Sequence, residues 1–213
     1  MTTHSRTIFT LSEADLQAIG GYGVARTFPK GAVVVTEGDT TDTLYVILEG
    51  RVKVYASDDQ GREIVFVTQG PGEYFGELVL DGGLRSASVM TLEKTRLLAV
   101  PKAEYESFVA KNPAFALNVM RKLITRVRTL SASVKSLALM DVYGRVARLL
   151  LELAEQTDGK MAISERFTHQ DLANRVGASR EMVGRILKDL TEGGYITAER
   201  SRIVINRRPP EHW

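Results

Sequence analysis

The chain contains no cysteine, so disulfides, thiolate nucleophiles and cysteine-held zinc or iron–sulfur centres are excluded. Histidine is nearly as scarce. His4, His169 and His212 are the whole set, and none falls between residues 5 and 168, whereas a metal-dependent β-barrel enzyme needs several imidazoles converging inside the barrel. A strong charge of either sign is missing too. The formal net charge is +2, so any nucleic-acid surface has to be local rather than a property of the whole molecule. No apolar run reaches the roughly 18 residues that span a bilayer, and the opening MTTHSRTIF lacks the apolar core of a secretory signal. These absences predict a cytoplasmic protein with no membrane partner and no metal. The β-rich half holds no nucleophile–base pair, so no catalytic residue and no enzyme activity are expected.

What is present falls into three stretches, and 213 residues suffice to bury one large core or two modest ones. From Gly31 to Val100 the apolar residues alternate with period two between glycine turns. TLYVILEGRVKVYASDDQGREIVFV reads as two strands around the turn SDDQG, and SASVM and TRLLAV follow. Short strands at regular spacing predict a β-sandwich or small roll, and the lack of an intervening helical pattern argues against a Rossmann-type sheet. Pro101 closes the strand run, and KAEYESFVAKN reads as a short helix. After Pro113 the period becomes helical. Leu123, Val127, Leu130, Val134 and Leu137 step by 4, 3, 4 and 3, which is heptad spacing, and Leu117, Met120 and Ile124 broaden the stripe. A helix over 114–139 would be about 40 Å long at roughly 1.5 Å per residue. It outreaches a sandwich of this size, so the stripe is expected to be the seam of a homodimer.

The third stretch is mixed. VYGRVARLLLELAEQ reads as an amphipathic helix ending near TDGK. FTHQDLANRVG follows, with Thr168 and Asp171 in capping-box spacing. Gly177 makes a turn, Ser179 caps the next helix REMVGRILKDLTE, and GGYITAERSRIVI reads as a hairpin. In the capped helix Val183, Ile186, Leu187 and Leu190 form an apolar stripe, while Glu181, Gly184, Arg185 and Lys188 lie opposite, with Arg180 at the start. Helix, glycine turn and helix is the helix-turn-helix arrangement, whose second helix enters the major groove. Arginine grips guanine O6 and N7, and glutamate accepts from cytosine N4. A mid-helix glycine costs about 1 kcal/mol relative to alanine, and close approach of Gly184 to a duplex would explain it.

GELVLDGGLRSASV, residues 76–89, places one glutamate and one arginine on a glycine-rich loop. The pair could be a surface bridge or the two halves of a small-molecule clamp. FPKGAVVVTEGD, LYVILEGRVKVY, PGEYFGELVLDGGLRSASV, LALMDVYGRVARLLLELA and THQDLANRVGASREMVGRILKDL, in that order along nearly the whole chain, resemble the bacterial cyclic AMP receptor protein family, which includes the fumarate–nitrate reductase regulators. The resemblance implies an α+β fold. A cyclic-nucleotide-binding β-roll (a double-stranded β-helix) would span 1–112, a dimerisation helix 113–140 and a winged helix-turn-helix 141–213.

It also implies roles for individual residues. Arg85 would hold the cyclic phosphate, because a guanidinium fork suits two anionic oxygens, with the Ser86 hydroxyl beside it. Backbone N–H groups from Gly76 through Leu78 would face the anion, and Glu77 would accept the ribose 2′-hydroxyl. Arg126 would lie near the ligand. Leu130 and Ser131 stand where the family's cyclic AMP binders carry threonine and serine, and the loop from Glu77 to Arg85 is slightly shorter than in its best-known members. The implied effector is a cyclic nucleotide, cyclic AMP first, with cyclic GMP, cyclic di-GMP or activity without ligand as alternatives. No other cofactor is implied. The seam of Leu123, Val127, Leu130, Val134 and Leu137 would pair two subunits. Arg180, Glu181, Arg185 and Lys188, with Thr168, His169 and Ser179, would contact a palindromic TGTGA-like site on double-stranded DNA, and RNA polymerase would be the protein partner.

Overall fold

The structure is a computed structural model that describes residues 10–40, 42–157, 159–199 and 202–210; His4 and His212 lie outside them. The chain divides into two units, Met1–Ala56 with Val65–Arg128, and Ser57–Ile64 with Thr129–Trp213.

The first unit opens with α1 (Glu13–Gly20), whose N-cap Ser12 accepts from the Asp15 N–H. The strands are β1 (Val24–Phe28), β2 (Val33–Val35), β3 (Thr43–Glu49), β4 (Val52–Ser57), β5 (Glu63–Gln69), β6 (Tyr74–Phe75), β7 (Ser88–Thr91) and β8 (Thr95–Pro101), with a 3-10 turn at Glu77–Asp81. They form two antiparallel sheets, in the orders β1-β8-β3-β6 and β2-β7-β4-β5. Pairing is nested, with Val24 opposite Ala99 at the outer pair and Tyr45 opposite both Ala99 and Phe75 further in. Period two sorts the side chains between two cores. Leu44 and Val46 of β3 and Leu98 and Val100 of β8 pack with Tyr74, Tyr105, Phe108 and Phe115. Ile47 and Leu97, on the opposite face of the same strands, pack with Val35, Val52, Val54 and Val89 of the second sheet.

The predicted two strands in TLYVILEGRVKVYASDDQGREIVFV are in fact three. The chain leaves one sheet for the other at Gly50, which adopts φ 83°; a Cβ there would lie 2.5 Å from Thr95 Oγ1 and 2.7 Å from the Lys94 carbonyl. Apolar alternation continues across this tight turn, which hides the break from a pattern reading.

Two helices complete the unit, α2 (Lys102–Lys111) and α3 (Pro113–Leu139), the latter continuing into the second unit. α3 starts with proline, whose missing N–H costs nothing at the first turn of a helix. Phe115, Val119 and Lys122 face the core, and Leu123 packs against the same cluster. Leu123, predicted as a seam residue, is thus half-buried by its own roll. Val127, Leu130, Val134 and Leu137 are exposed, as are Leu117, Met120 and Ile124.

The second unit contains α4 (Val142–Leu153), β9 (Glu155–Thr157), β10 (Lys160–Ile163), α5 (His169–Val176), α6 (Arg180–Glu192), β11 (Ile196–Ala198) and β12 (Ile203–Ile205). The helix expected to run through Glu155 and Gln156 stops at Leu153. Ala154 is extended, because the following residues supply the edge strand of the sheet β11-β12-β10-β9. The predicted hairpin after α6 is present, its residues 200 and 201 outside the described set. Tyr143, Val146 and Leu150 of α4 pack with Leu172 and Val176 of α5, Val183, Ile186 and Leu190 of α6, and Ile196 and Ile205 of the sheet.

Candidate functional site

The first candidate site lies on the 3-10 turn and the loop after it. Gly76 caps the turn at φ 84°, a conformation that glycine adopts without steric cost. A Cβ there would come within 2.8 Å of Arg85 Nη1 and 2.9 Å of the Thr43 carbonyl. Arg85 is 7% exposed, and its guanidinium donates to the carbonyls of Thr43 at 2.7 Å and Gly76 at 3.5 Å. Its backbone is pinned as well: the Arg85 N–H donates to the Asp39 carbonyl, and the Gly38 N–H donates to that of Arg85, each at 2.9 Å. The short motif EGD, in the turn after β2, therefore shapes a cassette that lies about forty residues on. Burial lowers the Arg85 pKa, opposed by Tyr45, Asp42, Asp39 and Glu77. Ser86 and Leu78 are exposed.

Glu77 forms an ion pair with a residue that the sequence reading did not select. Its Oε2 lies 3.4 Å from Lys122 Nζ on α3, and Lys122 is only 6% exposed. That ammonium also donates to the Tyr74 carbonyl and sits 3.7 Å above the Tyr74 ring. Burial lowers its pKa, and the attraction of Glu77 opposes the shift. Arg126, one turn further along α3, is shifted down by burial and held up by the same carboxylate. The signal was in the sequence. Phe115, Val119, Lys122 and Arg126 step by 4, 3 and 4, so two cations continue the core-facing stripe of the helix. Gly76, Glu77, Arg85 and Arg126 thus come together around one cassette. Leu130 and Ser131 belong to the second unit and are exposed.

The second candidate site is the pair α5–α6. Thr168 and Asp171 form a reciprocal capping box, and Gly177 ends α5 at φ 64°. Ser179 caps α6, accepting from the Met182 N–H at 3.2 Å. Arg145 of α4, missed in the sequence, fixes the turn between the helices. It donates to the carbonyls of Val176 at 2.9 Å, Gly177 at 3.4 Å and Met140 at 2.9 Å, where a cation also suits the negative end of α5.

Thr168, His169, Ser179, Arg180, Glu181, Arg185 and Lys188 are all exposed, and Lys188 pairs with Glu192 at 3.7 Å. Gly184 has a reason internal to the motif. A Cβ there would lie 3.2 Å from His169 Nδ1, so the glycine seats the imidazole, and close approach to a duplex is not needed to account for it.

Comparison with known proteins gives independent footing. Residues 25–112 match the cyclic nucleotide-binding domain family and residues 144–209 the Crp-like helix-turn-helix domain family. A CRP-like cAMP-activated global transcriptional regulator of Mycobacterium tuberculosis is 34% identical over 184 residues, covering 84% of this chain and 82% of the relative. The cAMP-activated global transcriptional regulator of Haemophilus influenzae is 32% identical, with the same shares covered. Among solved structures, the c-di-GMP responsive global regulator CLP of Xanthomonas campestris superimposes with a TM-score of 0.79 at 26% identity, over 91% of this chain and 99% of that one.

Proposed function

The chain belongs to the bacterial cyclic AMP receptor protein and fumarate–nitrate reductase regulator family of transcription factors, and from that premise we propose that it is a homodimer switched by cyclic AMP and read out on palindromic DNA by α6. The observation that carries the ligand half is Arg85. A buried guanidinium held by two backbone carbonyls presents planar donors that match two oxygens of a cyclic phosphate monoanion. Glu77 takes the ribose 2′-hydroxyl, and Arg126 adds positive potential. The exposed stripe Val127, Leu130, Val134 and Leu137 supports the dimer, and RNA polymerase is the protein partner that the family suggests.

Cyclic AMP is favoured by the two relatives described as cAMP-activated. A second reading, cyclic di-GMP, is favoured by Leu130, which offers a purine edge no hydrogen bond, and by the likeness to the Xanthomonas regulator. Calorimetry with cyclic AMP, cyclic GMP and cyclic di-GMP separates them. Cyclic AMP is expected to bind tightest, and binding of cyclic di-GMP alone would replace it with the second reading.

On DNA, Arg180 and Arg185 take guanines of an inverted TGTGA-like repeat and Glu181 a cytosine, each contact worth about 1–3 kcal/mol of discrimination. Thr168, His169, Ser179 and Lys188 hold phosphates. Glu181→Ala is expected to relax preference at one base pair of each half-site. Loss of the Thr168 contact should instead weaken all sequences alike. Selection from random DNA with both proteins checks this, and recovery of non-palindromic sites would sink the assignment.

A further inference from the structure

A glutamate and an arginine on one short loop should neutralise each other, which would close a clamp made of the two. Glu77 attracts Arg85 and Arg126 alike. Its ion pair is nevertheless with Lys122 of α3, at 3.4 Å, with both side chains largely buried. Lys122 is itself held from two further directions, by the Tyr74 carbonyl it donates to and by the Tyr74 ring beneath it. The ammonium is therefore committed to β6 and to Glu77, and is too enclosed to serve as a ligand contact of its own. A carboxylate has two oxygens and about four lone-pair sites, so engagement of Oε2 by Lys122 leaves the group an acceptor for one more donor.

We propose that Lys122 is a positioning residue: it holds the Glu77 carboxylate in place for the sugar, and so sets the preference for ribose over deoxyribose. This rests on the cyclic-nucleotide reading above. Without the ammonium, Arg85 and Arg126 are the cations that still attract Glu77. Pairing with Arg85 would spend the sugar acceptor and the phosphate anchor on each other.

The test is calorimetry of full-length wild type, Lys122→Met and Lys122→Gln with two probes, cyclic AMP and 2′-deoxy cyclic AMP. The glutamine variant keeps a donor for the Tyr74 carbonyl without the charge, which guards against a variant that fails only by unfolding; thermal unfolding of all three accompanies the titrations. Wild type should prefer the ribose ligand by roughly ten- to hundredfold, the equivalent of a hydrogen bond to a charged group. In both variants the two ligands should bind more weakly, the ribose ligand by more, so that the preference falls to about threefold or less. A purely structural role would weaken both ligands together and leave the ratio unchanged. A folded variant that retains the wild-type ratio overturns the proposal and leaves the cyclic-nucleotide reading standing. Failure of wild type to bind either probe overturns both.

Discussion

Arg85→Ala is expected to weaken cyclic AMP binding by roughly thirtyfold to a few thousandfold. Truncating one partner of a buried, hydrogen-bonded charge pair costs about 2–5 kcal/mol, and each 1.4 kcal/mol is roughly a factor of ten. The loss has two parts. The anion loses its fork of donors, and the carbonyls of Thr43 and Gly76 lose the donor that now satisfies them. The second part acts on stability, about 1–3 kcal/mol for a buried acceptor left unmet, and thermal unfolding reads it separately from binding. Arg85→Lys should fall between, because an ammonium keeps the charge but not the planar geometry. Calorimetry distinguishes the three proteins. Equal affinity for cyclic AMP in wild type and Arg85→Ala would remove the clamp from this cassette.

Placing glutamate at both Val127 and Val134 is expected to dissociate the proposed dimer. These residues are 63% and 65% exposed, with Leu130 between them at 43%, a continuous apolar stripe on one helix. Burying such a side chain fully is worth about 1.5–3 kcal/mol, and a two-fold axis makes every substitution count twice. Four carboxylates on facing helices add repulsion to the lost burial. Specific DNA affinity should fall by roughly a hundredfold or more, since two half-sites then have to be occupied independently. Sedimentation velocity and a DNA titration at one fixed salt concentration test the two consequences together. A variant that remains dimeric would move the seam elsewhere. Nucleotide affinity serves as the internal control, because neither residue belongs to the cassette.

Much of this architecture was legible where the determining interactions are local. The 4, 3, 4, 3 steps of α3, the Thr168–Asp171 capping box and the Ser179 cap each act within a few residues, and each forms as the sequence predicts. Interactions between distant segments were harder to see. The crossing at Gly50 depends on Lys94 and Thr95, more than forty residues away. The end of α4 depends on β12, which pairs β10 and so makes room for β9 as an edge strand. Gly184 looked like a concession to DNA because its neighbour His169 lies on another helix. Lys122 was passed over because lysine on a long helix is ordinarily solvated, and its burial becomes evident only once Phe115 and Val119 are seen to share its face.

The nested pairing of the roll also dictates the order in which a growing chain can complete it. β1 waits for β8, about 75 residues later in register, which is some 4–15 s of synthesis at 5–20 residues per second. The cassette leaves the ribosome before its own walls are finished. Its glutamate then waits longer still, for Lys122 on a helix that follows β8. Until that residue emerges, a nascent N-terminal half carries the ligand loop without the cation that arranges it. Long-range strand closure of this kind is slow, so the sensing half matures late in the life of the nascent chain. The α5–α6 motif, built from close neighbours, needs no such wait once it is made.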